Sequence, residues 1–458
     1  MAGLPWIVPL PYFDPLEDFA PYAPLQGSFF LDSSLVHPKY ARFSFWGYNP
    51  KLIFESKDGF VKVEGHTTIT SPFSALKEFY REKILNLPFD PYHPFCGGLV
   101  GFLSYEWGAA LENIAPVADA HDLDLPDGLF GLYDIVVGYD HIEKTAWVAS
   151  IDEGSIEQAE KLAAHLEANR KIPVFLAQHA ARGAQHEMRS SSDKPEYLNS
   201  IGKILDYLRA GDCYQVNLAQ RFMAPASLSP WGQYLQLRQA SPAPYSCFLN
   251  EGSFQILSSS PECFLISKED GALITRPIKG TRKRGETPEE DEKLRAELTA
   301  SSKDQAELLM ITDLERNDFG KICVPGSVVV PELRVMESFA QVHHLLSTVR
   351  GMRRPEFDII DCLAAMMPGG SITGAPKIRA MEIIRELESV NRGIYTGIIG
   401  YIGPQNTSQF NIAIRTMIVK DATAYFHSGS GIVIDSDPQT EYEETLAKAK
   451  GMMASLGL

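Results

Sequence analysis

The sequence predicts an α+β fold in which largely antiparallel sheets pack against helices. Short apolar runs of strand length recur along the chain, for example at 52–55, 61–64 and 129–139, and turn-forming residues separate them. Longer stretches with apolar residues at helical spacing alternate with such runs. Strands joined by tight turns favour antiparallel sheets with helices packed against them. The length of 458 residues allows two domains or one large two-lobed fold.

A polar segment divides the sequence into two regions. Residues 181–194 are rich in small and polar side chains, and they are predicted to be a linker. The N-terminal region, 1–180, contains short strand-like runs and a predicted helix over 155–168, for which Ser155 is the natural N-cap. The C-terminal region, 195–458, is denser in motif-like sequence.

The C-terminal region carries the longest helix signals. Strands are predicted at 253–258 and 263–267, and one long helix over 289–314. The short, glycine-rich apolar run at 393–403 predicts a buried strand, and a last helix is predicted over 438–456. Long helices among short strands are typical of an α+β arrangement.

Composition and charge exclude several classes of function. Apolar residues make up 45% and charged residues 22%, which is typical of a soluble globular enzyme. A net charge of −16 argues against nucleic-acid binding, and an anionic substrate would need local cations or a metal ion. Six scattered cysteines without a CxxC pair indicate reduced thiols and a cytoplasmic location. No signal peptide and no membrane span are predicted.

Lys279 lies in a segment suited to covalent chemistry, PIKGT at 277–281. Pro277 stiffens the approach to the lysine, and Gly280 lets backbone or ligand come close. Basic residues on both sides crowd positive charge around the amine. Burial and like charges both lower a lysine pKa, which makes the amine nucleophilic. On these five residues alone, a solvated basic turn is the simpler interpretation.

Several carboxylates could take part in acid–base or metal chemistry. Glu262 follows an apolar strand and is either a general base or a turn residue facing water. Glu307 has apolar neighbours on its predicted helix, so it is paired or a ligand. Glu441, Glu444 and Lys448 share one face of the last helix, where a simple exposed ion pair is the plainer interpretation. If the two helices converge, Glu307 and Glu444 form a site suited to Mg²⁺.

Two glycine-rich segments could bind an anion. Residues 369–377 resemble a P-loop, but Ala375 stands where that motif requires lysine. The free N–H groups of this segment, with the hydroxyl of Ser371 or Thr373, could still hold a carboxylate. A second turn, predicted at 428–431, offers backbone donors of the same kind. Ordinary turn chemistry explains both segments equally well.

Arg415 and His344 are the remaining candidates. Arg415 follows an apolar strand and could clamp a carboxylate, or it could form a structural ion pair. His344 could donate a proton to a leaving group, although a histidine beside apolar residues is more often a core residue. Ligands at zinc spacing are missing from the sequence around it, so a zinc site is not predicted.

Together these segments resemble the chorismate-utilising enzyme family over most of residues 195–458. The resemblance is carried by residues 211–218, 277–281, 306–318, 343–348, 369–384, 429–437 and 441–449. The N-terminal region matches the family, and anthranilate synthase component I in particular, more loosely through 30–34 and 97–106. Many long motifs in one order are a specific signal. The resemblance implies a large two-lobed sandwich of mainly antiparallel sheets with flanking helices.

The family resemblance also implies an activity. Anthranilate synthases carry alanine at the position of Lys279, whereas the branch that aminates chorismate carries PIKGT. The resemblance therefore implies amination of chorismate at C4 to 4-amino-4-deoxychorismate, for p-aminobenzoate and folate synthesis. Ammonia would come from glutamine through a separate amidotransferase subunit, since the sequence lacks a Gly-x-Cys-x-Gly nucleophile setting.

The resemblance implies a role for each matching residue. Lys279 would attack C2 of chorismate, Glu262 would be the general base, and His344 matches a second acid/base position. Glu307 and Glu444 would hold Mg²⁺, with Glu441 supporting them. The substrate carboxylates would be gripped at the positions of Ser371, Tyr401, Arg415, Gly429, Gly431 and Lys448.

A second ligand and two alternative functions follow from the same resemblance. Some family members keep a tryptophan pocket, whose positions match Ser33, Tyr40, Arg42, Phe43, Pro244, Tyr245 and Ser246. Within the family, the alternatives are anthranilate synthase component I and a lysine-dependent isochorismate or salicylate synthase. Outside it, the alternative is a catalytically silent regulatory or binding homologue.

Overall fold

The computed structural model describes residues 3–117, 123–169, 188–339 and 342–458. Its strands are β1 (Trp6–Pro11), β2 (Ser28–Asp32), β3 (Phe43–Gly47), β4 (Leu52–Lys57), β5 (Phe60–Val63), β6 (His66–Ile69), β7 (Gly98–Leu103), β8 (Gly128–Tyr133), β9 (Ile135–Asp140), β10 (Thr145–Ser150), β11 (Arg189–Ser190), β12 (Gln215–Pro225), β13 (Tyr245–Asn250), β14 (Gln255–Ser260), β15 (Cys263–Ser267), β16 (Ala272–Arg276), β17 (Ile278–Lys283), β18 (Val329–Ser338), β19 (Val342–Met352), β20 (Gly374–Ala375), β21 (Ile398–Ile402), β22 (Ser408–Ile412), β23 (Thr416–Lys420) and β24 (Thr423–Ile432). Its helices are α1 (Pro15–Phe19), α2 (Pro72–Lys83), α3 (Tyr105–Leu111), α4 (Ile156–Asn169), α5 (Lys194–Ala210), α6 (Pro230–Ala240), α7 (Pro288–Ala300), α8 (Ser302–Ile322), α9 (Ile359–Met366), α10 (Lys377–Leu387) and α11 (Pro438–Ser455).

The described strands form two antiparallel sheets, which confirms the predicted fold class. The first sheet has the order β1-β10-β9-β3-β2-β13-β14-β23-β24-β12-β11, with β20 also paired to β12. The second has the order β17-β19-β16-β15-β22-β21-β7-β8-β4-β5-β6, with β18 also paired to β19. Among the described residues, no helix combines the length and apolar character that a membrane crossing requires.

Each sheet contains strands from both sides of the predicted linker. In the first sheet, β2 pairs with β13 and places Phe30 opposite Phe248. In the second, β7 pairs with β21 and places Val100 opposite Tyr401. The two regions therefore build one pair of sheets jointly. Residues 181–187 lie outside the described residues, whereas the rest of the predicted linker already includes β11 and the start of α5.

Apolar side chains fill the space between the sheets and cover their outer faces. Phe45 of the first sheet and Phe102 of the second belong to the buried cluster between the sheets. Helices α4, α6 and α11 pack on the first sheet through residues such as Leu237. Helices α2, α8 and α9 pack on the second through residues such as Phe319, whereas α10 packs against β12 and β20 of the first. Each fully buried side chain of this kind contributes about 1.5–3 kcal/mol to folding.

Most predicted elements are confirmed, and the differences have local causes. Helix α11 matches its prediction, and Asp437 caps it by accepting a hydrogen bond from Thr440 N at 2.9 Å. Helix α4 matches its predicted bounds within one residue, but the predicted N-cap is wrong. Ser155 ends a short 3₁₀ turn that Asp152 caps, and its hydroxyl donates to the Asp134 carboxylate.

The prediction of one helix over 289–314 is wrong, because the segment forms two helices, α7 and α8. Ser301 between them has an extended backbone, and its hydroxyl caps α8 by accepting a hydrogen bond from the Asp304 N–H. The apolar run at 129–139 is two strands, β8 and β9, in different sheets.

Arg392 is a buried charge that ties several elements together. Its guanidinium donates to both carboxylate oxygens of Glu388, at 2.7 and 2.9 Å. It also donates to the carbonyl oxygens of Ile372 at 3.0 Å and Asn217 at 2.7 Å. Burial disfavours the cation, but the Glu388 carboxylate outweighs it and raises the pKa of Arg392. The guanidinium therefore stays charged and fully bonded inside the protein.

Replacing Arg392 by methionine is expected to destabilise the fold strongly. The change leaves the Glu388 carboxylate buried without its partner, which costs about 3–5 kcal/mol in comparable sites. Equilibrium unfolding in denaturant measures this cost. Arg379→Met is the control, since its ion pair with Glu382 lies at the surface and contributes about 1 kcal/mol or less. Equal stability losses in the two variants would contradict the role assigned to Arg392.

Candidate active site

A cavity of about 700 Å³ lies between β17, the β12–β24 edge of the first sheet, and the helices α8 and α11. We call it the large cavity. Most of the predicted site residues line it, although they come from distant parts of the sequence. They are Glu262, Lys279, Glu307, His344, Ser371, Arg415, Gly429, Gly431, Glu444 and Lys448.

Lys279 lies on β17, an edge strand of the second sheet, and its side chain lines the large cavity. The pairing of β17 with β19 shifts register between Lys279 and Thr281, so the strand bulges at Gly280. Gly280 has a φ of 76°, and a Cβ there would lie 2.7 Å from Leu298 Cδ1. Both the backbone conformation and the close packing require glycine at this position. The amine donates a hydrogen bond to the carbonyl oxygen of Ser371 at 3.2 Å.

Burial lowers the pKa of Lys279 below its ordinary value. The Glu307 carboxylate opposes this shift, and the Lys448 cation reinforces it. The arginines that flank Lys279 in sequence have other partners, since Arg276 pairs with Glu337 and Arg284 pairs with Asp291. The cation that lowers the Lys279 pKa further is therefore Lys448 of α11. No pattern in the sequence near Lys279 predicts that these two residues lie close together.

Glu262 lies in the turn between β14 and β15 and is only 5% exposed. The Ile278 N–H donates to its carboxylate at 3.5 Å, one residue before Lys279. Burial raises the pKa of Glu262, while the Lys279 cation acts in the opposite direction. A carboxylate with a raised pKa next to a lysine with a lowered pKa is a pair suited to proton exchange.

Helices α8 and α11 converge on the cavity and bring Glu307 and Glu444 to it. Burial raises the pKa of Glu307, and its Oε1 has no hydrogen-bond partner among the described residues. Burial acts to raise the pKa of Glu444 as well, but the cation of Lys448, with Nζ 2.7 Å from Oε1, lowers it. In the described part of the chain, no cluster of three or more His, Cys, Asp and Glu could hold a metal by itself.

Glu441 is placed differently from the other two predicted metal residues. It is buried behind the cavity wall, where its carboxylate accepts hydrogen bonds from the hydroxyls of Ser430 and Ser436. Lys303 Nζ lies 3.3 Å from Glu441 and 3.9 Å from Glu307. Glu441 therefore fixes Lys303 beside Glu307, and its supporting role at a metal site stays a prediction.

Polar groups suited to a carboxylate line the same cavity. Ser371 Oγ is buried without a hydrogen-bond partner in the described structure, whereas the Thr373 hydroxyl donates to backbone carbonyls. Arg415 lies in the cavity wall with a φ of 48°, and burial lowers its pKa. Lys448 Nζ also donates to the carbonyl oxygen of Gly429 at 3.1 Å. Such donors match the two carboxylates of a small dicarboxylic acid.

His344 is held neutral. Burial lowers its pKa to about 3, and the nearby Arg415 cation adds to this effect. Its Nδ1 is 2.9 Å from the Thr281 hydroxyl, on the neighbouring strand. At neutral pH the imidazole of His344 is therefore uncharged, with one ring nitrogen that donates a hydrogen bond and one that accepts.

Two predicted features differ in the structure. The turn predicted at 428–431 is the end of the continuous strand β24, paired with β12. Tyr401 does not reach the large cavity, because side chains alternate along β21 and its ring points into the core against Phe95, with ring centroids 4.3 Å apart. Tyr395, six residues earlier, lines the cavity instead.

The cavity-lining residues that sequence reasoning missed include Tyr395, Asn217 and His427. The rings of Tyr395 and His427 stack with centroids 4.9 Å apart. His427 could have been found from the sequence, because it lies two and four residues before Gly429 and Gly431. If this segment is recognised as a strand, its period of two places His427, Gly429 and Gly431 on one face.

Five of the residues matched to a tryptophan pocket line a separate cavity of about 40 Å³: Ser33, Phe43, Pro244, Tyr245 and Ser246. Arg42 instead pairs with Asp140, and the Tyr40 ring lies 3.7 Å from the guanidinium of Arg276. Pockets for small organic ligands typically measure several hundred Å³. Tryptophan binding remains a hypothesis that requires this cavity to widen.

The sequence and the structure were compared with known proteins. Residues 32–454 match the family model of chorismate binding enzymes. The chain is 38% identical to aminodeoxychorismate synthase component 1 of Bacillus subtilis (strain 168), covering 91% of this chain and 90% of that protein. It is 39% identical to the protein of the same name from Escherichia coli (strain K12), covering 85% and 83% respectively.

The fold was found in a solved relative as well. Anthranilate synthase component I from Streptococcus pneumoniae TIGR4 superposes with a TM-score of 0.79 and 33% identity, covering 91% of this chain and 93% of that one. The family match includes every residue of the large cavity described above and, apart from β1 and most of β2, all the described strands. This chain therefore belongs to the chorismate-binding enzyme family.

Proposed function

We propose that this enzyme aminates chorismate at C4 to give 4-amino-4-deoxychorismate, through a covalent bond to Lys279. The observation that carries the proposal is a lysine of lowered pKa, facing a cavity beside the buried Glu262. Anthranilate formation needs no enzyme nucleophile at this position, so the lysine favours the aminating branch. The names of the two bacterial relatives agree with this proposal.

The proposed chemistry balances with ammonia as the only co-reactant. Neutral Lys279 Nζ bonds to C2, the two ring double bonds shift, and the C4–O bond breaks so that water leaves. Ammonia then bonds to C4, the double bonds shift back, and the C2–N bond breaks. Lys279 is regenerated as a neutral amine. Glu262 accepts and returns the protons that the two nitrogen atoms lose, because it lies beside the lysine.

Ammonia has to reach the cavity from elsewhere. The relatives are named component 1, and we propose that a glutamine amidotransferase is the second component here too. That partner hydrolyses glutamine and supplies ammonia, whereas the chain described here binds chorismate. Ammonium salts in solution can replace the partner in an assay.

Glu307 and Glu444 fit a magnesium ion, and we propose that they bind one. Glu307 offers a buried, unpartnered oxygen, and two carboxylates are the typical protein contribution to such a site, where water and substrate oxygens complete the shell. The ion would offset the charge of a substrate carboxylate held among acidic side chains. Glu441 and Lys303 keep Glu307 in place.

Replacing Glu307 by glutamine is expected to weaken magnesium binding at least about tenfold, because even residues behind a metal site alter affinity by this much. The magnesium concentration for half-maximal activity measures the change, and the magnesium-dependent rise in melting temperature measures it without activity. Glu443→Gln is the control, since Glu443 lies exposed on α11 and bonds to Gln439. Full activity after exhaustive chelation would contradict the metal assignment.

Product identification tests the function directly. The enzyme is incubated with chorismate, an ammonium salt and magnesium, and the products are separated by chromatography and identified by mass spectrometry. The proposal predicts an amino product that retains the enolpyruvyl group, without release of pyruvate. Anthranilate or salicylate formation releases pyruvate, so either product would overturn the proposal in favour of an alternative within the family. Absence of any product would favour a silent homologue.

A further inference from the structure

Lys303 brings an ammonium group to the proposed metal site. It lies at the start of α8 and lines the large cavity. Its Nζ is 3.3 Å from Glu441 Oε1 and 3.9 Å from Glu307 Oε1. Glu307 Oε1 is the buried oxygen that has no hydrogen-bond partner in the described structure. The lysine therefore faces the same oxygen atom that we propose for magnesium.

This lysine is charged, although part of its side chain is buried. Burial disfavours the cation, but the carboxylates of Glu441 and Glu307 outweigh it and raise the pKa of Lys303. Its side chain is 52% exposed, so the ammonium group can also turn towards water. On α11, Lys448 is placed in the same way beside Glu444, with Nζ 2.7 Å from Oε1. In the metal-free enzyme, each proposed ligand is therefore paired with a lysine four residues away on its own helix.

Magnesium cannot bind Glu307 without meeting the charge of Lys303. The ion binds carboxylate oxygens at about 2.1 Å. Since Nζ is 3.9 Å from Glu307 Oε1, an ion on that oxygen lies within about 6 Å of Nζ. If Lys303 stays, its charge repels the ion, and if it swings into water, the buried Glu441 carboxylate loses its cation. Both outcomes lower the affinity for magnesium.

We propose that Lys303 is an internal competitor of magnesium, which the ion has to displace from Glu307. Before the ion arrives, the ammonium group holds Glu307 and Glu441, and once the ion is present, the same charge opposes it. This inference rests on the proposed metal site of Glu307 and Glu444 and adds to it a residue that sets the affinity. A residue that only supported Glu307 would strengthen metal binding, whereas a competitor weakens it. The two roles therefore predict opposite effects when the charge is removed.

The test is magnesium binding to the enzyme without ammonia, measured by calorimetric titration and by melting temperature, in the absence and in the presence of chorismate. Lys303→Met keeps a side chain of similar length without the charge, and it is expected to lower the Kd for magnesium about tenfold. Without metal, the melting temperature of this variant is expected to lie below that of the wild-type enzyme, because Glu441 has lost its cation. Added magnesium is expected to raise it by more than in the wild-type enzyme, since a tighter ligand stabilises more at one concentration.

Further variants separate this effect from other causes. Lys303→Gln, which is also uncharged, is expected to behave like Lys303→Met, whereas Lys303→Arg keeps a cation and is expected to retain the wild-type Kd. Lys293→Met is the matched control, because it removes the same charge from the surface of α7, where Lys293 pairs with Glu297. It is expected to leave the Kd unchanged. Equal tightening in Lys293→Met would assign the effect to the net charge of the protein and overturn the inference.

The remaining outcomes are distinct for the inference and for the metal site. An unchanged Kd in both uncharged variants at position 303 would overturn the inference and leave the metal site intact. A higher Kd would overturn it as well, because it would make Lys303 a support for Glu307. If the wild-type enzyme bound no magnesium under either condition, the proposed metal site would be wrong, and this inference with it. None of these measurements requires amination of chorismate, so a failure of the proposed reaction is detected separately.

Discussion

Replacing Lys279 by alanine is expected to lower kcat/KM for amination at least about a thousandfold, because the reaction loses its nucleophile. Intact-mass measurement gives a second readout. With chorismate and magnesium but no ammonia, the wild-type enzyme is expected to gain the mass of chorismate less water. Fragmentation would place this adduct on Lys279, and the alanine variant would show none.

Lys283→Ala is the matched control for this change. Lys283 lies on the same strand, but its side chain is exposed and faces Glu290. Its loss is expected to leave kcat/KM unchanged. Full activity in Lys279→Ala, or an adduct that maps to another residue, would show that the nucleophile is wrongly assigned.

Replacing Glu262 by glutamine is expected to lower kcat by about 10²–10⁴-fold, the usual contribution of a general acid–base group. Glutamine keeps the size of the side chain and can still accept from the Ile278 N–H, but it cannot exchange protons. The fall is therefore expected in kcat, with a small change in the KM for chorismate. The covalent adduct on Lys279 can be measured in the same variant.

Glu269→Gln is the control for Glu262, because Glu269 is an exposed carboxylate just beyond β15. Its activity is expected to equal that of the wild-type enzyme. The assignment of Glu262 would be wrong if Glu262→Gln kept its kcat and lost affinity for chorismate alone. That outcome would make Glu262 a binding residue.

The fold class and most candidate residues could be predicted because long motifs carry their positions together. Lys279, Glu262, Glu307 and Glu444 each had a simpler explanation when considered alone. Their order along the chain, in segments typical of one family, made the common site predictable. The structure adds that α8 and α11 converge and that both carboxylates face the same cavity.

The remaining features depend on contacts between distant residues. The glycines at 429 and 431 suggest a turn locally, but pairing with β12 draws them into a strand, and this pairing joins segments far apart in sequence. Tyr395 and Tyr401 both lie in or near β21, and the sequence does not show which of them faces the cavity. In the structure, Tyr401 packs into the core between the sheets, whereas Tyr395 lines the cavity. The cation beside Lys279 comes from α11, so no pattern near Lys279 could identify it.

The sharing of each sheet between the two regions has a consequence for how the chain folds. During synthesis, β2 and β7 emerge long before their neighbours β13 and β21 are made. Until then, each of these strands presents unpaired backbone groups and apolar side chains, which are the features that promote aggregation. Contacts between residues so far apart in sequence also form slowly. In a newly made chain, the edges of β2 and β7 that face these partners therefore stay unpaired until the C-terminal region is complete.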